Sequence, residues 1–200
     1  ATEMLHIFIA APEEAVRPGS TGIPVPGFRA RVLGPDGKEA PRGTPGRLAV
    51  QGPTGCRYLA DPRQADYVQG GWNITGDTYV QDAEGYFWYQ ARSDDMIVSA
   101  GYNIAGPEVE AALMTHPAVL ECGVVGAPDA ERGQIVKAYV VPRADTPPSA
   151  ALVRSLQDHV KAAIAPYKYP RAVEFVEALP RTQTGKLRRA ALREMAATGA

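Results

Sequence analysis

Five short stretches of the chain carry side chains suited to chemistry on phosphate and ribose. The most pointed is Leu179-Pro180-Arg181-Thr182-Gln183-Thr184-Gly185-Lys186-Leu187-Arg188-Arg189. A Gly- and Thr-rich loop there places Lys186 at the expected start of a helix, where a mobile ammonium can reach phosphate oxygens and stabilise developing negative charge. The glycine spacing is not that of a Walker loop. A nucleic-acid-binding basic helix is the rival local reading, and the net charge of −1 and absence of interleaved aromatics count against it.

The second stretch is Gly70-Gly71-Trp72-Asn73-Ile74-Thr75-Gly76-Asp77-Thr78, read as a tight loop presenting a carboxylate. Such a group accepts two hydrogen bonds from vicinal ribose hydroxyls, although Gly-Asp pairs are common in ordinary turns. Arg92 with Asp94-Asp95 is the third: a fork of donors beside carboxylates that could exchange backbone partners as a hinge rotates, or simply a solvated charge cluster. The fourth, Ser99-Ala100-Gly101-Tyr102-Asn103-Ile104-Ala105-Gly106, is small enough for close approach and reads as a channel wall or as a plain loop before a helix. The fifth, Pro166-Tyr167-Lys168-Tyr169-Pro170-Arg171, alternates aromatic and basic groups that could hold an adenine ring and phosphates, or pack as a loop.

These stretches require scaffolding. Residues 1–91 read as β-rich, with LHIFIA, PVPGFRARVL, GRLAVQG and GYFWYQA as apolar runs between Gly/Pro turns. Pro35-Asp36-Gly37 reads as a hairpin turn. Beyond about residue 97 the pattern alternates. Pro107 opens a helix with Val109, Ala112 and Leu113 on one face, and Pro117 ends it. Strands follow over 119–125 and 135–141. A long helix from Ser149 to about Ala165 turns Leu152, Val153, Leu156, Val160 and Ile164 inward before Pro166. A third strand over 172–176 and a basic helix over 187–196 complete an α+β domain with a central three-stranded sheet.

The composition is that of an ordinary globular protein, 45% hydrophobic and 22% charged. The near-neutral charge gives no global attraction to nucleic acid or anionic membrane. Cys56 and Cys122 fit no metal spacing and read as reduced, packed thiols. No stretch has signal-peptide character or membrane-spanning length, so a cytoplasmic location is expected. The chain opens at Ala1 and runs directly into an apolar segment, which suggests an excised or processed piece.

In order and spacing, Thr2-Glu3, Gly46-Arg47-Leu48, Trp72…Thr75-Gly76-Asp77, Gly85-Tyr86…Arg92-Ser93-Asp94-Asp95-Met96-Ile97, Gly101…Asn103-Ile104…Glu108-Val109-Glu110 and Pro180-Arg181-Thr182…Gly185-Lys186-Leu187 resemble the second half of the adenylate-forming superfamily. That superfamily includes acyl- and aryl-CoA ligases, peptide-synthetase adenylation domains and firefly-type luciferases. The runs ThrGluMetLeuHisIlePhe and AlaProTyrLysTyrProArg look most like the benzoate- and 2-aminobenzoate-CoA ligases.

The resemblance implies a division into residues 1–92, the β-rich end of a large adenylating domain, a hinge at 93–96, and a mobile C-terminal domain at 97–200. It implies ATP, Mg²⁺ and CoA as cofactors and a small carboxylate, aromatic by the finer resemblance, as substrate. Thr2 and Glu3 match the pair that contacts the AMP phosphate and Mg²⁺. Asp77 matches the ribose carboxylate, Arg92 the ribose arginine, Asp94 the hinge residue, Gly101 the glycine beside the pantetheine tunnel, and Lys186 the adenylation lysine. Tyr167, Lys168 and Arg171 fall where some members contact CoA, and His6 would lie near the acyl pocket.

The Tyr-Gly that usually precedes the Thr-Glu pair is absent. So are the phosphate loop and the rest of the large N-terminal domain, which is the implied partner in the same protein. Homodimerisation is left open. Asn103 stands where many members carry Arg. The piece alone is expected to be inactive. A carrier-protein-loading adenylation domain and a non-catalytic partner-binding fragment are the alternative functions.

Overall fold

The computed structural model describes residues 1–11 and 13–198, and the chain divides into two compact units, Ala1–Asp94 and Asp95–Ala200.

The first unit is a mostly antiparallel β assembly. β1 (Ile9–Ala10) pairs with β2 (Ile23–Pro24). A five-stranded sheet follows, built from β3 (Arg29–Leu33), β4 (Gly46–Gln51), β5 (Val68–Gln69), β6 (Trp72–Gln81) and β7 (Phe87–Arg92), with the short helix α1 (Arg63–Tyr67) leading into β5. The order is β3-β4-β6-β5, with β7 also on β6. Met4, Ile9, Phe28, Val32, Leu48, Val50 and Phe87 form its main core.

Two expectations change here. The LHIFIA run pairs only at its end. Ile9 is buried while Leu5 and Ile7 face solvent, and a 3₁₀ turn over Thr2–Met4, with Met4 buried, precedes the run. The PVPGFRARVL run joins the five-stranded sheet only at Arg29, because Pro26 and Gly27 break the strand before it.

The second unit opens with the hairpin β8 (Met96–Ser99) and β9 (Tyr102–Ala105), then α2 (Gly106–Met114), β10 (Val119–Asp129), β11 (Gly133–Pro142), α3 (Ala150–Ala163), β12 (Ala172–Phe175) and α4 (Arg189–Thr198). The three expected strands form a contiguous group, with β10 and β12 both on β11. The β8–β9 hairpin then extends the sheet to five strands. The stretch Ser99–Gly106, read as a loop or channel wall, is thus largely strand. Ala100 and Gly101 make its two-residue turn with φ of 48° and 83°, as hairpin turns of the primed type require.

Alternation along β10 and β11 places side chains on both faces. Val124, Val136, Ala138 and Val140 pack with Val109 and Leu113 of α2 and Leu152, Leu156 and Val160 of α3. Val125, Tyr139 and Val141 pack with Leu192 and Ala196 of α4. Ser149 caps α3, its hydroxyl accepting from the Leu152 N–H at 3.1 Å. Pro107 occupies the first turn of α2 as expected.

Candidate nucleotide and lysine sites

Asp77 does not sit in a loop. It lies within β6 at an interruption of the ladder, where Arg47 and Ala49 of β4 face Thr78 and Ile74. The extra residues on β6 bulge, and Gly76 takes φ of 77° to make the bend. A Cβ there would come within 3.1 Å of the Arg92 guanidinium.

The bulge aims Asp77 at its cross-strand partner Arg92, whose Nη1 lies 3.6 Å from Asp77 Oδ1. The same guanidinium reaches Asp94 Oδ1 through Nε at 3.4 Å. Burial raises the Asp77 carboxyl above the usual carboxylate range, and Arg92 opposes that shift in part. Thr75 Oγ1 accepts from the Asp77 N–H and donates to the Leu48 carbonyl, both at 3.3 Å, which fixes the bend from behind.

Glu3, on the N-terminal 3₁₀ turn beside Thr2, accepts from the Tyr58 hydroxyl at 3.3 Å. It is near enough to Asp77 to raise that carboxyl further. The tyrosine pair Tyr58 and Tyr67, edge to face at 5.5 Å, was not anticipated from sequence. No cluster of three metal-ligating side chains exists among the described residues. A single carboxylate suits Mg²⁺, which keeps several waters and shares phosphate oxygens with its substrate. His6 is exposed, stacked on Phe28 at 5.7 Å, with Nδ1–H donating to the Ile7 carbonyl at 2.6 Å.

Within the second unit, Lys186 is not at a helix start. Arg181 and Leu187 pair as a bridge, closing a hairpin whose turn is Thr182–Gly185. Thr182 N–H donates to the Lys186 carbonyl at 2.8 Å, Gly185 N–H to the Thr182 carbonyl at 2.9 Å, and Lys186 N–H to Thr182 Oγ1 at 3.1 Å. The helix begins only at Arg189, because the local hydroxyl and the left-handed Gly185 (φ 83°) offer the backbone a turn instead. Lys186 is exposed, and no hydrogen bond or ion pair holds its ammonium among the described residues. The hairpin itself is braced by Arg181, which donates to the Gly185 carbonyl at 2.8 Å and to Glu121 at 2.6 Å.

Gly101, at the tip of the β8–β9 turn, has open space around it. Next to it Tyr102 stacks on Tyr167 at 4.4 Å, both rings being exposed. Lys168 is already engaged, with Nζ 2.6 Å from Glu108 in the first turn of α2. Arg171 donates to the Tyr169 hydroxyl at 2.8 Å. The structure therefore gathers Gly101 and Tyr167 near one exposed aromatic pair, and turns Lys168 and Arg171 to internal partners.

Sequence reading overlooked a partly buried charge cluster. Asp95, Glu110, Arg189 and Arg193 interlock beneath α4. The spacing of Arg189 and Arg193, one helical turn apart, was the available signal. It was read as part of a basic helix.

Residues 108–186 match the family described as the AMP-binding enzyme C-terminal domain. Over these residues the chain carries the C-terminal domain of the AMP-binding enzymes. It is 47% identical over 183 residues to an uncharacterised acyl-CoA ligase, YtcI, of Bacillus subtilis, covering 90% of this chain and 35% of that protein. It is 43% identical over 196 residues to benzoate–CoA ligase of Thauera aromatica, covering 96% of this chain and 37% of that one. The solved structure of the anthranilate CoA ligase AuaEII with anthranoyl-AMP matches with a TM-score of 0.85 and 40% identity, over 100% of this chain and 39% of that chain. The chain thus spans little more than a third of the length of these relatives. No helix among the described residues is long and apolar enough to cross a membrane.

Proposed function

We propose that this chain serves as the C-terminal part of an ATP-dependent acid–thiol ligase that activates a carboxylate, an aromatic one by its benzoate and anthranilate ligase relatives, as acyl-AMP and passes it to CoA. The observation that carries this is the lysine hairpin: an exposed ammonium at position 186, with no partner among the described residues, on a braced turn. A cation so held can stabilise charge on reacting phosphate oxygens at little cost in reorganisation.

In that reading Asp77 accepts both ribose hydroxyls and Arg92 adds a donor beside them. Thr2 and Glu3 receive the phosphate end, with Glu3 the oxygen ligand for Mg²⁺. The ion would supply charge neutralisation at the phosphates. Asp94 is the pivot of a hinge at 93–96. Turning about it withdraws Lys186 after adenylate formation and brings the Gly101 turn forward for the thiol. Tyr167, Lys168 and Arg171 are CoA contacts in the same reading, Lys168 by exchanging Glu108 for phosphate, and His6 borders the acyl site. Residues outside this chain would supply the phosphate loop and most of the acyl pocket, so the 200 residues alone are inactive.

The test is Lys186→Ala in the full-length ligase. Acid-dependent pyrophosphate release should be lost, while thioester formation from supplied acyl-adenylate and CoA persists. Equal loss of both half-reactions would refute the scheme. Acyl transfer to a carrier-protein thiol but not to CoA would redirect the acceptor assignment.

A further inference from the structure

Arg189 stands three residues beyond Lys186, in the first turn of α4, at the centre of the partly buried charge cluster. Its Nη2 donates to Glu110 Oε2 on α2. Its Nε lies 3.9 Å from Asp95 Oδ2, and Arg193 Nη1 donates to the other oxygen of Asp95. Glu110 spends its remaining oxygen on the Val124 N–H of β10, at 2.8 Å. The side chains of Asp95 and Glu110 are only 14% and 15% exposed.

Two carboxylates and two guanidiniums held together in a partly buried cluster are a poor device for stability alone, because apolar groups of the same volume commonly serve as well. What they supply is geometry. Planar guanidinium forks fix direction as well as distance. The cluster joins three places: the first residue of the second unit, helix α2, and the helix that continues directly from the lysine hairpin. The other brace of that hairpin, Arg181 with Glu121, is solvent-exposed on both sides and correspondingly weak.

We infer that Asp95, Glu110, Arg189 and Arg193 are positioning residues that hold the Lys186 hairpin in register with the backbone at residue 95, so that the lysine is correctly aimed for adenylate formation. The inference rests on the adenylation role proposed for Lys186 and adds to it a coupling between the hinge segment and the lysine. Arg189 Nε, buried with no hydrogen-bond partner among the described residues, shows that the arm toward Asp95 is the looser one. The arm to Glu110 is the firm anchor.

The experiment uses the full-length ligase with Glu110→Gln, and with Glu110→Gln combined with Arg189→Met. Gln retains an acceptor for Val124 N–H, and the double change leaves no unpaired buried charge to unfold the domain. Pyrophosphate release should fall on the order of 100-fold, the scale expected when a catalytic group is misplaced by about 1 Å. Thioester formation from supplied acyl-adenylate should stay within about twofold. Adding Glu110→Gln to Lys186→Ala should cause no further loss, since both act through one group. In the 200-residue chain, amide exchange across 182–188 should quicken while α3 is unchanged. Equal loss of both half-reactions, or wild-type adenylation by both variants alongside a dead Lys186→Ala, would overturn the network and leave the lysine assignment standing. Undiminished adenylation by Lys186→Ala would sink both.

Discussion

Asp77 and Arg92 face each other in register across β6 and β7, the carboxylate brought into reach by a bulge at Gly76 and the guanidinium shared with Asp94 two residues further on. The carboxyl is half-buried and its pKa is raised, so the site holds a group whose charge costs folding energy.

Replacing Asp77 separates these two effects. The folded state binds the Asp77 proton more tightly than the unfolded chain does, so this group's contribution to stability falls as pH rises through the interval between the ordinary and the raised carboxylate pKa. Asp77→Asn should therefore gain stability relative to the parent on going from below about pH 4 to about pH 7. Urea unfolding of both chains across that range checks it. On the proposed reading, in which Asp77 accepts both ribose hydroxyls, the same substitution in the full-length protein should weaken AMP binding by about 2–4 kcal/mol, read by calorimetry, as two hydrogen bonds to a charged acceptor are lost.

Gly76→Ala should cost about 1–2 kcal/mol, because a side chain must adopt a left-handed backbone and its Cβ crowds the Arg92 guanidinium. The loss should appear as a lower urea midpoint for the first unit, accompanied by weaker nucleotide binding.

Ser149→Ala should lower the stability of the second unit by about 1 kcal/mol through loss of the α3 cap. Leu156→Ala, on the same helix and fully buried, should cost about 2–5 kcal/mol. Thermal unfolding of the 200-residue chain orders the two. A similar loss in both would contradict the packing described for α3.

Cys122 has its thiol pushed up to about 12, chiefly by burial and then by Glu110. It should react with iodoacetamide at mildly alkaline pH far more slowly than an unfolded-chain thiol, and denaturant should abolish the difference. Mass spectrometry of the labelled chain gives the site-resolved rates. Cys56 and Cys122 are both free thiols, in keeping with the absence of any disulfide or metal spacing in the sequence.

Much of the second unit was legible because its signals are local. Pro107 opening α2, Ser149 capping α3, Pro166 ending it, and the alternation along 119–125 and 135–141 each act within a few residues, and each element formed where those residues put it. The β8–β9 hairpin was missed because a two-residue turn of Ala100 and Gly101 carries a weaker signal than Asn-Gly. Asp77 was read into a loop because its strand is broken by a bulge defined only against β4. Lys186 was read at a helix start because the preference of Thr182 for a local turn is decided by pairing between Arg181 and Leu187.

By itself the sequence determined which chemistry is on hand. A carboxylate after a bend, a lysine after a glycine and an arginine before two aspartates are choices of residue type, and their order along the chain fixes the family. Only the tertiary structure decided which charges are paired and which are free. Lys168 is spent on Glu108 and Arg189 on Glu110, partners 60 and 79 residues away, while Lys186 has no partner among the described residues. Such pairing depends on contacts between distant segments once desolvation makes an unpaired charge costly, and no local pattern of residues encodes it.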